Sequence, residues 1–169
     1  MKKYLFIFVI APIFLFANIE PLSSSQEMKA DLVTVVKSER KLYLSHEGKI
    51  LKAFNIALGG NPVGHKKVQG DQKTPEGYYR LDYLKLDSSF YKALHISYPN
   101  ATDCCNAQKI GKSPGGSIMI HGQPNNQGWL KSFFKQRTDW TAGCIALYNS
   151  DMDEVLKYIK VGTPILIKP

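Results

Sequence analysis

Asp139-Trp140-Thr141-Ala142-Gly143-Cys144-Ile145-Ala146-Leu147 is the stretch on which the reading of this chain turns. Small and hydroxyl-bearing residues lead into a single cysteine that opens a short apolar run, so its sulfur is expected where a loop meets a strand. Upstream, Ser117-Ile118-Met119-Ile120-His121-Gly122 has the pattern of a buried strand ending in a histidine, and Gly122 lets the chain turn away without a clashing side chain. A strand-end imidazole and a loop-end thiol make a base and nucleophile pair. Only the thiolate attacks well, a free thiol titrates at about pH 8.5, and an adjacent imidazolium lowers that value. The amides of Gly143 and Cys144, unshielded by bulky side chains, are the expected donors to an oxyanion. One Cys and one His alone do not separate this reading from a buried cysteine acting as a small apolar residue.

The wider pattern does separate them. His121-Gly122 followed by Gly143-Cys144-Ile145 heading a strand resembles the L,D-transpeptidase catalytic domain (YkuD) family, whose signature is an HG pair followed by S-H-G-C-I-R-L. Gly59-Gly60-Asn61-Pro62-Val63-Gly64-His65-Lys66, Gly70-Asp71 with Thr74-Pro75-Glu76-Gly77, His95-Ile96-Ser97-Tyr98-Pro99-Asn100, Pro114-Gly115-Gly116 and Trp140 to Ala146 look like its YafK-type branch. The resemblance runs from Asp31 to Pro169. Two departures stand out: Thr141-Ala142 replaces the Ser-His before Gly-Cys, and Ala146 replaces the Arg after it, which removes a candidate anchor for a substrate carboxylate. The interval from His121 to Cys144 is also long for the family, with Gly128 to Asp139 as the expected insertion.

The resemblance implies a fold that is mostly β with a few short α-helices, an L,D-transpeptidase-like β-sandwich or barrel with the cleft at its edge. It implies Cys144 as nucleophile, His121 as general base and acid, the Gly122 backbone carbonyl orienting the imidazole, and Gly143 as oxyanion amide. Thr141, Trp140, Tyr98 and His65 are the expected substrate-binding residues. The implied reaction is periplasmic L,D-transpeptidation through a cysteine thioester on meso-diaminopimelate of peptidoglycan tetrapeptide stems, for cross-linking or protein attachment. Two other readings stay open: a hydrolase on the same thioester (an L,D-carboxypeptidase, or an amidase releasing wall-tethered protein), and a non-catalytic wall-binding module.

From the start of the chain, Lys2-Lys3 precede an apolar run from Tyr4 to Phe16, closed by Ala17. This describes a secretory signal peptide over residues 1–17, too short for a comfortable membrane span, so contact with a membrane is expected only if the segment stays uncleaved. Residues 18–30, polar with Pro21 and three serines, read as a linker, and 31–169 as one catalytic domain. Leu32–Lys37, Lys41–Ser45 and Ile50–Leu58 are expected to form an antiparallel start, with His46 in a solvated turn. The loop Gly59–Gly77 is expected to rim the active cleft. Strands follow at Tyr78–Lys85, Ala93–Tyr98 and Thr163–Lys168, with His95 as a hydrogen-bonded sheet residue. Asn100 should cap a helix reaching Lys109, Trp129–Gln136 has helical spacing, and Asn149 or Ser150 should cap Asp151–Ile159.

That first helix carries Cys104-Cys105, expected as two reduced or idle thiols. His65 and Asp71 lack a third convergent ligand, so no metal is expected, and the chemistry requires no organic cofactor. The net charge of +8 comes from lysines spread over strands and loops without stacking aromatics. Nucleic acid is therefore not an expected partner, whereas peptidoglycan stems, with their free carboxylates, are. An envelope protein attached to or released from the wall is the other expected partner.

Overall fold

The computed structural model describes residues 28–128 and 136–169. The signal segment, most of the linker and all but the last residue of the helix expected at Trp129–Gln136 lie outside them. Alternation makes the first strands: in β1 (Leu32–Val36) Val33 and Val35 are buried between half-buried neighbours, and in β2 (Lys41–His46) Leu42 and Leu44 are. With β3 (Lys49–Asn55) they form the expected antiparallel start. His46 ends β2 and is only a third exposed, its Nδ1 3.7 Å from Asp31, so it is not a solvated turn residue. Ala30, assigned to the linker, is buried in the core, and its N–H donates to the Tyr158 carbonyl at 2.9 Å.

The remaining elements are β4 (Gly77–Ser88), β5 (Tyr91–Ile96), α1 (Ala101–Lys109), β6 (Met119–His121), β7 (Ile145–Ala146), α2 (Asn149–Tyr158) and β8 (Pro164–Lys168). The eight strands make one sheet in the order β3-β2-β1-β8-β4-β5-β6-β7, with β1–β8 and β6–β7 parallel. Beyond β3, Ala57 pairs with Ala146 of β7 through bonds of 2.9 and 2.8 Å, joining the two outer strands of the order. The sheet thus curls toward closure, which gives physical content to the barrel-like expectation. Ile56, Leu58, Leu81, Leu94, Ile120, Ile145 and Leu147 fill its interior with Met152 and Val155 of α2.

Asn100 caps α1 as expected: its side chain accepts the Asp103 N–H while the Asp103 carboxylate accepts the Asn100 N–H. The cap of α2 differs. Its N-cap is Tyr148, without a side-chain bond, because Asn149 Oδ1 accepts the Gln123 N–H at 2.8 Å instead. Among the described residues no helix is long and apolar enough to cross a membrane.

Candidate active site

Register brings the two singled-out residues together. Ile120 pairs with Ile145 in the parallel β6–β7 ladder, which sets Cys144 beside Met119, and His121 lies two residues further along β6. Side chains two apart in a strand share a face, so the thiol and the imidazole point to one side of the sheet. Both line a cavity of about 610 Å³ together with Phe90, Ser117, Trp140 and Gln127.

His121 is 4% exposed and held on several sides. Its Nδ1 lies 2.7 Å from the Gly122 carbonyl oxygen. A carbonyl can only accept, so Nδ1 carries the proton and Nε2 keeps the lone pair of a base. The Phe90 ring is 4.7 Å from the imidazole and Trp140 stands edge-on at 5.7 Å. Gly122 admits no side chain, since a Cβ there would meet Asn149 Oδ1 at 2.5 Å and Tyr91 Cβ at 2.8 Å. Burial pushes the imidazole below its ordinary pKa, with the Gly122 carbonyl opposing.

Cys144 is half-buried, its sulfur 3.6 Å from the Ser117 carbonyl. Burial pushes this thiol above its ordinary pKa, against the pull of the Met119 amide and the Lys66 charge. Desolvation therefore favours the uncharged form of both groups. Both shifts run against a resting imidazolium and thiolate.

Thr141 builds the nucleophile loop from within. Its Oγ1 accepts the Gly143 N–H at 3.1 Å and donates to the Cys144 carbonyl at 2.7 Å. Two expectations change. The Gly143 amide, expected to face an oxyanion, donates to the Thr141 hydroxyl instead, and that hydroxyl is spent on the loop although the residue lines the cavity. Gly143 adopts φ +128°, and a Cβ on it would meet the Lys73 carbonyl oxygen at 2.6 Å.

Tyr98 and His65 do not reach the cavity. Tyr98 is 2% exposed, its hydroxyl donating to the Pro114 carbonyl at 3.0 Å. His65 Nδ1 accepts the Glu76 N–H at 2.9 Å, and Nε2 faces the buried Asp103 carboxylate at 3.0 Å. Both are scaffold residues. Likewise, no described residue of Gly59–Gly77 lines the cavity; the loop packs behind the nucleophile rather than around the cleft mouth. His95 is bonded to Asp82 at 2.7 Å and stacked on Tyr83, as a sheet residue. Cys104 and Cys105 are free and exposed on α1.

Sequence reasoning missed four contributors. Phe90 sits in a hairpin turn, where aromatic residues carry no pattern. Gln123 and Gln136 are buried and bonded to each other, and their amides also donate to the Leu147 and Ala146 carbonyls at 2.9 and 2.7 Å. Asp139, quoted in the opening stretch, accepts from Arg40 at 2.6 Å and from the Leu58 N–H at 3.0 Å, latching the nucleophile loop to the β1–β2 turn. Among the described residues, no three His, Cys, Asp or Glu side chains are placed to share a metal ion.

This sheet and pocket are those of an L,D-transpeptidase domain: the chain belongs to the YkuD family, whose L,D-transpeptidase catalytic domain matches residues 30–167. It is 30% identical over 133 residues to YafK of Escherichia coli (strain K12), covering 75% of this chain and 46% of YafK. The crystal structure of the helical cell shape determining protein Pgp2 from Campylobacter jejuni aligns with a TM-score of 0.60 and 30% identity, over 82% of this chain and 48% of Pgp2. An L,D-transpeptidase from Mycobacterium smegmatis shares the fold at 13% identity, with a TM-score of 0.52 over 82% of this chain and 58% of its own. The chain spans about half the length of YafK and Pgp2.

Proposed function

We propose that the protein is an exported cysteine acyltransferase acting on peptidoglycan stem peptides in the periplasm. The observation that carries this is the Nδ1–Gly122 contact, which aims a basic Nε2 into the cavity that also holds the Cys144 thiol. In this reading the sulfur attacks the meso-diaminopimelate carbonyl of a tetrapeptide stem while His121 takes the thiol proton. The Cys144 N–H donates to the oxyanion. His121 then protonates the departing D-alanine amine, leaving a thioester that an acceptor resolves. An amine from a second stem or an envelope protein gives transfer, and water gives hydrolysis. A place in wall biogenesis and cell shape fits the likeness to Pgp2.

Hydrolysis is favoured by one feature of the cavity: among the described residues no carboxylate lines it to draw in an acceptor ammonium, and around His121 and Cys144 those that line it are aromatic, aliphatic or neutral polar. The position where the family pattern carries Arg is Ala146, fully buried and facing no solvent. Incubating the full chain with purified tetrapeptide muropeptides, with Cys144→Ser as control, decides between the readings by mass spectrometry. Cross-linked dimers lost in the variant establish transfer, and tripeptide plus free D-alanine establishes stem hydrolysis. Unchanged tetrapeptide sinks both activities on this stem.

A further inference from the structure

A buried cation behind the nucleophile has no part in the reaction as described. The Gly59–Gly77 segment packs against Gly143: besides the Lys73 carbonyl already noted, a Cβ on Gly59 would meet Gly143 Cα at 3.0 Å. Inside that segment Lys66 is 3% exposed, with Nζ 2.8 Å from Asp71 Oδ1 and 3.1 Å from the Val68 carbonyl. The same carboxylate accepts the N–H groups of Lys67, Val68 and Lys73 at 2.7, 3.0 and 3.1 Å. One anion therefore fixes both the cation and the backbone that abuts the nucleophile loop.

Burying an ion pair is costly, and apolar residues of similar volume often serve stability as well or better. Pinning the segment does not require it, because Lys37, just after β1, already does so: its Nζ donates to the carbonyls of Gly64 and Thr74 and to the Glu76 carboxylate. We propose that Lys66 is a positioning residue for the nucleophile, a buried cation held by Asp71 that supports negative charge as it develops on the Cys144 sulfur. This rests on Cys144 being the nucleophile.

Among the described residues, the surrounding charges leave the task to Lys66. Burial holds His121 toward its neutral form, so the base supplies no resting positive charge. Arg40 is paired with Asp139, and Lys73 Nζ donates to the Val63 carbonyl. On the far side of Lys66 stand the His65–Asp103 pair and Tyr98, whose hydroxyl is held protonated by burial and nearby carboxylates. The field of Lys66 acts on the Cys144 thiol in the direction that favours thiolate.

The test follows alkylation of Cys144 by iodoacetamide against pH, by mass spectrometry, in the full chain carrying Cys104→Ser and Cys105→Ser. Lys66→Met should raise the pH midpoint by roughly 0.5–1 unit, Lys66→Arg should restore most of it, and circular dichroism should stay unchanged. An unmoved midpoint in folded Lys66→Met overturns the proposal. Should Lys66→Met not fold, Lys66→Gln keeps a polar side chain without the charge, with the same rise expected, and an unmoved midpoint in folded Lys66→Gln overturns the proposal. The readout is the thiol and not turnover, so a failure on muropeptides and a failure of this inference are separate results.

Discussion

The loop Gly59–Gly77 and the outer half of β4 invert the usual expectation about order. The loop has no helix or strand, yet it contains Thr74 at 0% and Lys66 at 3% exposure and is tied down by two buried lysines. The outer half of β4 is regular strand, yet every residue from Asp82 to Asp87 is exposed, with Leu86 at 65%. It pairs only with β5, because β8 stops opposite Arg80. Anchoring by buried polar partners and not secondary structure is what decides which of these regions supports the active site.

Breaking the loop should therefore cost most. Lys37→Met strands the Glu76 carboxylate and two carbonyls, and the expected loss is about 3 kcal/mol or more in urea unfolding. Gly143→Ala comes next: at φ +128° and against the Lys73 carbonyl it should cost roughly 2 kcal/mol and slow alkylation of Cys144, since the loop must retreat from the nucleophile. The strand half meets the site at its end, through Ser88 and through Phe90 in the turn after β4. Because burial lowers the His121 pKa, the acid limb of kcat/KM should fall below about 6.5, the ordinary imidazole value, and Phe90→Ala should move it back up by hydrating the ring. The same linkage makes stability decline as pH drops below that ordinary value, because the unfolded chain binds the His121 proton first. Smallest of all, Leu86→Ser on the outer half of β4 should stay within about 0.5 kcal/mol of the parent. A large loss there would mean that the exposed strand carries structure after all.

The depth of what the sequence disclosed follows the range of the interactions. Period-two burial made β1 and β2 legible, and the Asn100–Asp103 capping box is local chemistry that Asn100 announced. The candidate base and nucleophile came from motifs, and the tautomer of His121 depends on the adjacent residue, so its orienting contact could be anticipated. Long-range partners could not. Lys37 and Lys66 look like surface lysines until the fold buries them. Asn149 looks like a helix cap until the Gln123 amide claims its oxygen. Gly143 looked like a free donor because nothing in the chain order says that the Thr141 hydroxyl turns back onto it. Tyr98 and His65 sit within family-like motifs, but motifs mark positions under constraint and do not say whether the constraint is substrate or scaffold.

The pairing of Ala57 with Ala146 bears on how the molecule breathes. A single bridge ties the segment just after β3 to β7, and that stitch lies two residues beyond Cys144. Small openings elsewhere, such as the tip of the β4–β5 hairpin, can come and go without disturbing it. The amide of Ala146, buried and bonded to the Ala57 carbonyl, should therefore exchange with solvent more slowly than amides at the tip of the β4–β5 hairpin, which sets the Cys144 sulfur beside a well-held part of the sheet.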